Sequence, residues 1–112
     1  MASITAKYKL FFFTPLHALE PCKTAIFAAG AGRYPGGNYT ECCWTVSGKG
    51  QFRPRDTANP HIGSVGTLEH TEEARVEAIC FGEDVAREAV AALKSAHPYE
   101  EPSYGVVKLE DF

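Results

Sequence analysis

Bulky apolar residues occupy both faces of the stretch from Lys9 to Thr14, Lys-Leu-Phe-Phe-Phe-Thr. With side chains alternating, Leu10 and Phe12 point one way and Phe11 and Phe13 the other, so the pattern predicts a central strand needing cover on both sides. Pro15 ends the run. Pro21 suits an early helical position, and a helix is expected over about Pro21 to Ala29, with Cys22, Ala25, Ile26 and Ala29 as its buried stripe and Gly30 as its C-terminal cap. Turn formers fill Arg33 to Asn38. A second strand is expected over Tyr39 to Val46, with Cys42, Trp44 and Val46 on one face and Glu41, Cys43 and Thr45 on the other. Ser47 to Gly66 carries many glycines and prolines and reads as a long loop, of the kind that serves binding or subunit contact. Val65 and Leu68 read as the start of an edge ribbon. Arg75 to Phe81 alternates again, with Val76, Ala78 and Cys80 against Glu77, Ile79 and Phe81. Glu83 and Asp84 suit the positive end of a second helix, whose stripe is Val85, Ala86, Ala89, Val90 and Leu93 and which ends near Ser95. Pro98 stops it, and Tyr104 to Leu109 is the last strand.

The order strand, helix, strand, strand, helix, strand, joined by right-handed crossovers, predicts an α+β ferredoxin-like sandwich. Two helices then lie on one face of a four-stranded antiparallel sheet, and residues 1–112 form a single domain. The bare face is expected to carry Phe11 or Phe12, Ile79 or Phe81, and Val106 or Val107. Burying apolar area returns roughly 25 cal/mol per Å², so self-association is the expected cover.

Composition narrows the classes. The formal net charge of -3 gives no basic surface for nucleic acid or acidic membrane. Of the four cysteines, Cys42 and Cys43 are adjacent and, in a strand, would face opposite ways, and no pair has metal-knuckle spacing. Reduced thiols in a cytoplasmic protein are expected. No basic N-terminal segment leads into a long apolar core, so neither a signal peptide nor a membrane span is expected.

Several segments together resemble one family. They are Gly30-Ala31-Gly32-Arg33, Asn38-Tyr39 through Cys43-Trp44, Gly48 through Gly50-Gln51-Phe52-Arg53-Pro54, Asn59-Pro60 with Ile62-Gly63, and His97-Pro98-Tyr99-Glu100-Glu101-Pro102. The chain resembles a free-standing version of the central inserted domain of the NIF3-like proteins (NGG1-interacting factor 3 homologues). That insert is similar to the PII signalling and CutA folds, ferredoxin-like sandwiches that commonly form trimers. The resemblance thus implies a trimer, with a dimer as the alternative that a bare face alone would also allow. The two lobes that hold the family's two-metal site have no counterpart here, so the resemblance carries over neither metal ligands nor the family's presumed hydrolase or chaperone roles. The chain departs from the pattern in the extra turn Tyr34-Pro35-Gly36-Gly37 and in His61, where an apolar residue is typical.

Two groups of side chains are candidates for chemistry. Between Pro98 and Pro102, His97, Tyr99, Glu100 and Glu101 crowd an imidazole, a phenol and two carboxylates into a small volume. His97 with Glu100 or Glu101 would suit a divalent metal. The structural alternative has His97 capping the helix end and the glutamates holding a loop or an arginine. The second group is Lys49, Gln51, Arg53 and Arg55, with Arg33 after the first helix. It would suit a small anionic ligand or an ion pair across a subunit interface, for instance between an arginine and Glu100 or Glu101. His17, His61 and His70 read as loop or surface residues. No cysteine has a histidine beside it to mark a nucleophile and base, and no catalytic set is visible. The reading is therefore a non-enzymatic oligomeric PII-like module that binds a small ligand or a partner protein and has no cofactor. A divalent-metal module and a structural accessory domain for a separately encoded NIF3-like protein are the alternatives.

Overall fold

The computed structural model describes residues 5–112. Four strands and two α-helices follow the expected order: β1 (Lys7–Pro15), α1 (Leu19–Ala28), β2 (Trp44–Phe52), β3 (Glu69–Phe81), α2 (Glu83–Ala96) and β4 (Tyr104–Leu109). The sheet is antiparallel with order β2-β3-β1-β4, so the Phe-rich β1 and β3 are central. This is the ferredoxin-like α+β arrangement. No helix among the described residues is long and apolar enough to cross a membrane.

The core lies between the sheet and the helices. Register pairs Leu10 with Ala78 and Phe12 with Val76, which stacks the inward residues of β1 and β3. Leu10, Phe12, Val76, Cys80, Cys22, Ile26, Ala89 and Leu93 are all fully buried. The expected stripe of α1 holds at Cys22 and Ile26, while Ala25 and Ala29 are half-buried. A one-turn 3-10 helix (Leu16–Ala18) leads into α1, which starts two residues before Pro21, so the proline falls in the first turn, where its missing N–H costs nothing. At the other end the Gly30 N–H donates to Phe27 O and the Ala31 N–H to Ile26 O, with Gly30 at φ 106°, the paired bonds of a glycine-terminated helix.

Three expectations need correction. Tyr39–Cys43 is loop, and β2 begins only at Trp44. The backbone of this segment is used elsewhere: the Cys42 N–H donates to Gly32 O, the Tyr34 N–H donates to Tyr39 O, and Glu41 takes a left-handed φ of 56°. Cys43, not Cys42, packs against the core, and the Cys42 thiol lies near Thr40 O. Second, Ser47–Phe52 is strand rather than loop, because its backbone pairs with Glu69–Ala74. Its polar and glycine side chains hid the strand, since an edge ribbon exposed on both sides needs no apolar alternation. Third, β3 begins at Glu69, six residues before Arg75. β4 spans Tyr104–Leu109 as expected.

Parity assigns the outer face. Phe11, Phe13, Ile79, Phe81 and Val107 point away from the helices, together with Trp44, Val46 and Phe52, while Phe12 and Val106 lie on the helix side. Trp44 is 60% exposed and Val107 49%.

Candidate functional site

The site grows from the place where α2 ends beside β1. The backbone N–H of His97 donates to Leu93 O and closes the helix. Its ring does not take a helix carbonyl but crosses to β1, where Nε2 lies 2.6 Å from Phe13 O. A carbonyl only accepts, so Nε2 carries the hydrogen, and Nδ1 is left to accept from the Tyr99 N–H at 3.1 Å. The ring is 6% exposed, and burial holds its pKa below the usual 6.5, opposed in part by the bond to Phe13.

Tyr99 donates its hydroxyl to Glu73 Oε2 at 2.8 Å, and burial together with this carboxylate pushes the phenol well above its usual range. Glu73 lies against Gly50 on β2, where a Cβ would collide with Glu73 Oε1. Glycine at this position therefore makes room for the carboxylate. Glu100 reaches the loop between β2 and β3, accepting the Asn59 N–H at 2.9 Å. The neck of that loop is closed by the Gly66 N–H to Pro54 O and by Arg53 Nη1 to Gly66 O at 2.9 Å.

These ties enclose an open cleft of about 690 Å³ with Phe13, Phe52 and Tyr99 among its lining residues and Arg53, Arg55, His61, Glu100 and Glu101 around it. Of the candidates, the fold thus gathers Gln51, Arg53, Arg55, Tyr99, Glu100 and Glu101 at one cleft. His97 stands behind it, in ring contact with Tyr99 at 4.8 Å. Lys49 projects to the helix side opposite Glu72, and Arg33 lies in the turn after α1, so neither lines the cleft. Sequence reasoning missed Glu73, Phe52 and Phe13 as lining residues. Only the parity of a correctly placed β2–β3 ladder brings Glu73 and Phe52 to this face, beside Phe13 of β1.

Both ring nitrogens of His97 are engaged, Nε2–H as a donor and the Nδ1 lone pair as an acceptor, so it has no lone pair to offer a metal in this arrangement. Among the described residues no group of three or more His, Cys, Asp or Glu side chains is placed to hold a metal ion. The cysteines are free; burial raises the Cys22 thiol and pushes Cys80 up to about 11, which keeps both protonated near neutral pH.

No family model matches the chain. It is 44% identical over 101 residues to a GTP cyclohydrolase 1 type 2 homolog of Mycobacterium tuberculosis, covering 90% of this chain and 26% of the relative. A relative of the same name from Halalkalibacterium halodurans is 40% identical over 102 residues, covering 91% and 27%. The chain thus spans about a quarter of the length of the curated relatives it matches. Among solved structures, a Bacillus cereus protein related to NIF3 superposes with a TM-score of 0.81 at 33% identity, over 98% of this chain and 27% of that one. The divalent cation tolerance protein CutA of Archaeoglobus fulgidus gives 0.63 at 14% identity, over 95% and 86%. The GlnK–ATP complex of B. subtilis gives 0.60 at 9%, over 94% and 84%. These last two are likenesses of fold.

Proposed function

We propose, starting from the correspondence of this chain to one domain of the NIF3-like proteins, that it is a non-enzymatic module working through association with copies of itself. The observation that carries this reading is the uncovered outer face of the sheet. Phe11, Phe13, Trp44, Val46, Ile79, Phe81 and Val107 share it, with Trp44 60% exposed. At its centre Glu77 lies between Lys9 Nζ at 3.1 Å and Arg75 Nε at 3.0 Å, and the Arg75 guanidinium sits 4.5 Å from the Phe11 ring centre. Glu77 is shared by both cations within the chain, which leaves a single residual positive charge at the centre of a largely apolar face. A second copy is the occupant this apolar face with internally paired charges favours. A trimer is the proposed assembly, with a dimer as the other closed arrangement.

The protonated thiols of Cys22 and Cys80 support the non-enzymatic part, since a thiol attacks only as thiolate. A second reading is favoured by the cleft: its aromatic lining with Arg53 and Arg55 alongside suits a small anionic ligand that presents an apolar ring.

Sedimentation equilibrium at micromolar concentration tests the main reading. The native chain is expected to run as an assembly, and Trp44→Glu, at an exposed site, is expected to fold and run as monomer. Losing one well-buried aromatic contact costs about 2 kcal/mol, or roughly thirtyfold in the association constant. A monomer mass for the native chain throughout that range overturns the reading.

A further inference from the structure

Two imidazoles far apart in sequence meet at the edge of the cleft. His17 sits in the one-turn helix after β1, and His61 in the loop between β2 and β3. Their ring centres are 5.6 Å apart, with planes tilted by 38°. Both residues are exposed. His97 has both nitrogens engaged within the protein, but neither of these rings makes a hydrogen bond to another described residue.

This spacing is close to what a shared ion imposes. A nitrogen-to-zinc distance of about 2.0–2.1 Å, extended to the ring centre, puts two imidazoles on a tetrahedral ion roughly 5 Å apart between centres. A small side-chain adjustment closes the difference. Arg53 and Arg55 line the same cleft as His61, Glu100 and Glu101, so the imidazole ligands, not the net field of the cleft, select the ion.

We propose that His17 and His61 form a two-imidazole chelate for a divalent transition metal of the zinc, nickel or copper class, with water in the remaining positions. Imidazole nitrogen suits these ions, whereas magnesium and calcium take oxygen ligands. The bound ion ties the β2–β3 loop to the turn after β1 and so fixes one edge of the cleft. The site lies within one chain and does not depend on self-association.

Isothermal titration calorimetry of tag-free chain with Zn²⁺, in a non-chelating buffer slightly above neutral pH, tests this. One ion per chain is expected, with Mg²⁺ giving no comparable heat. His17→Gln and His61→Gln are each expected to weaken binding by at least about tenfold. His70→Gln is the control, because His70 stands on β3 opposite Gln51, and it is expected to bind as the native chain does. Melting curves without metal confirm that the variants fold. Native-like zinc binding in either His17→Gln or His61→Gln overturns the chelate, as does a stoichiometry of one ion per two chains.

Discussion

At His97 the pattern of donors and acceptors decides the chemistry. Nε2–H serves Phe13 O on β1, Nδ1 serves the Tyr99 N–H, and the neutral ring thereby fastens α2, β1 and the segment before β4. Removing it leaves a half-buried carbonyl and a half-buried N–H without these partners, so His97→Ala is expected to lower unfolding stability by about 2 kcal/mol, read by urea titration. The pH dependence has a definite sign. The folded pKa lies below the ordinary 6.5, so the unfolded chain takes up the proton first. The contribution is complete above about pH 6.5 and is lost as pH falls through the folded value. Native protein should therefore lose more stability than His97→Ala between pH 7 and about 5; parallel profiles would refute the neutral bridge. The helix-ending role of the His97 backbone was legible in the sequence, from the Pro98 that follows. The ring's partner was not, because Phe13 is distant along the chain and a main-chain carbonyl leaves no mark in composition.

Among the elements, legibility followed apolar alternation. β1, the inner half of β3 and α2 bury one face; Val76, Ala78 and Cys80 on β3 and Ala86, Ala89 and Leu93 on α2 were placed on the buried side, whereas for β1 the alternation left open whether Phe11 or Phe12 turned to the helices. β2 was displaced because two local signals misled. Cys42, Trp44 and Val46 alternate like strand residues, yet Cys42 belongs to a loop hydrogen-bonded back to Gly32. Ser47, Gly48, Lys49 and Gly50 look like a turn, yet their backbones fill a ladder with β3. The displaced strand also obscured part of the site, since Gly50 and Phe52 reach the cleft only from this ladder. Gly32 is the hinge of the misread segment: it has φ +73°, and a Cβ there would fall 2.5 Å from Cys42 O. Gly32→Ala is expected to destabilise by more than about 1 kcal/mol, through left-handed backbone and steric conflict together. A midpoint in urea unchanged from native would show that this loop is not pinned as described.

The whole molecule is longer than its chain length requires. Its radius of gyration is 15.6 Å and its extents are 57 × 23 × 23 Å, against about 13 Å for a compact chain of this size. The extra length follows from register. β1 pairs with β3 only from Glu73 to Phe81, so Glu69–Glu72 is paired on one side alone, with Lys49–Phe52. Such a two-stranded ribbon is marginal in water by itself. The fold therefore contains two populations of amide protons. Those of Val76 to Cys80 exchange with deuterium only when the whole domain opens. Those of Glu69–Glu72 and their β2 partners exchange through local fraying, at a free-energy cost set by the ribbon and the loop that ties it back through Glu100. Exchange measured by NMR is expected to divide β3 into a slow inner half and a fast outer half; uniform protection along the strand would contradict this. Motion at the cleft can thus proceed while the aromatic core stays shut.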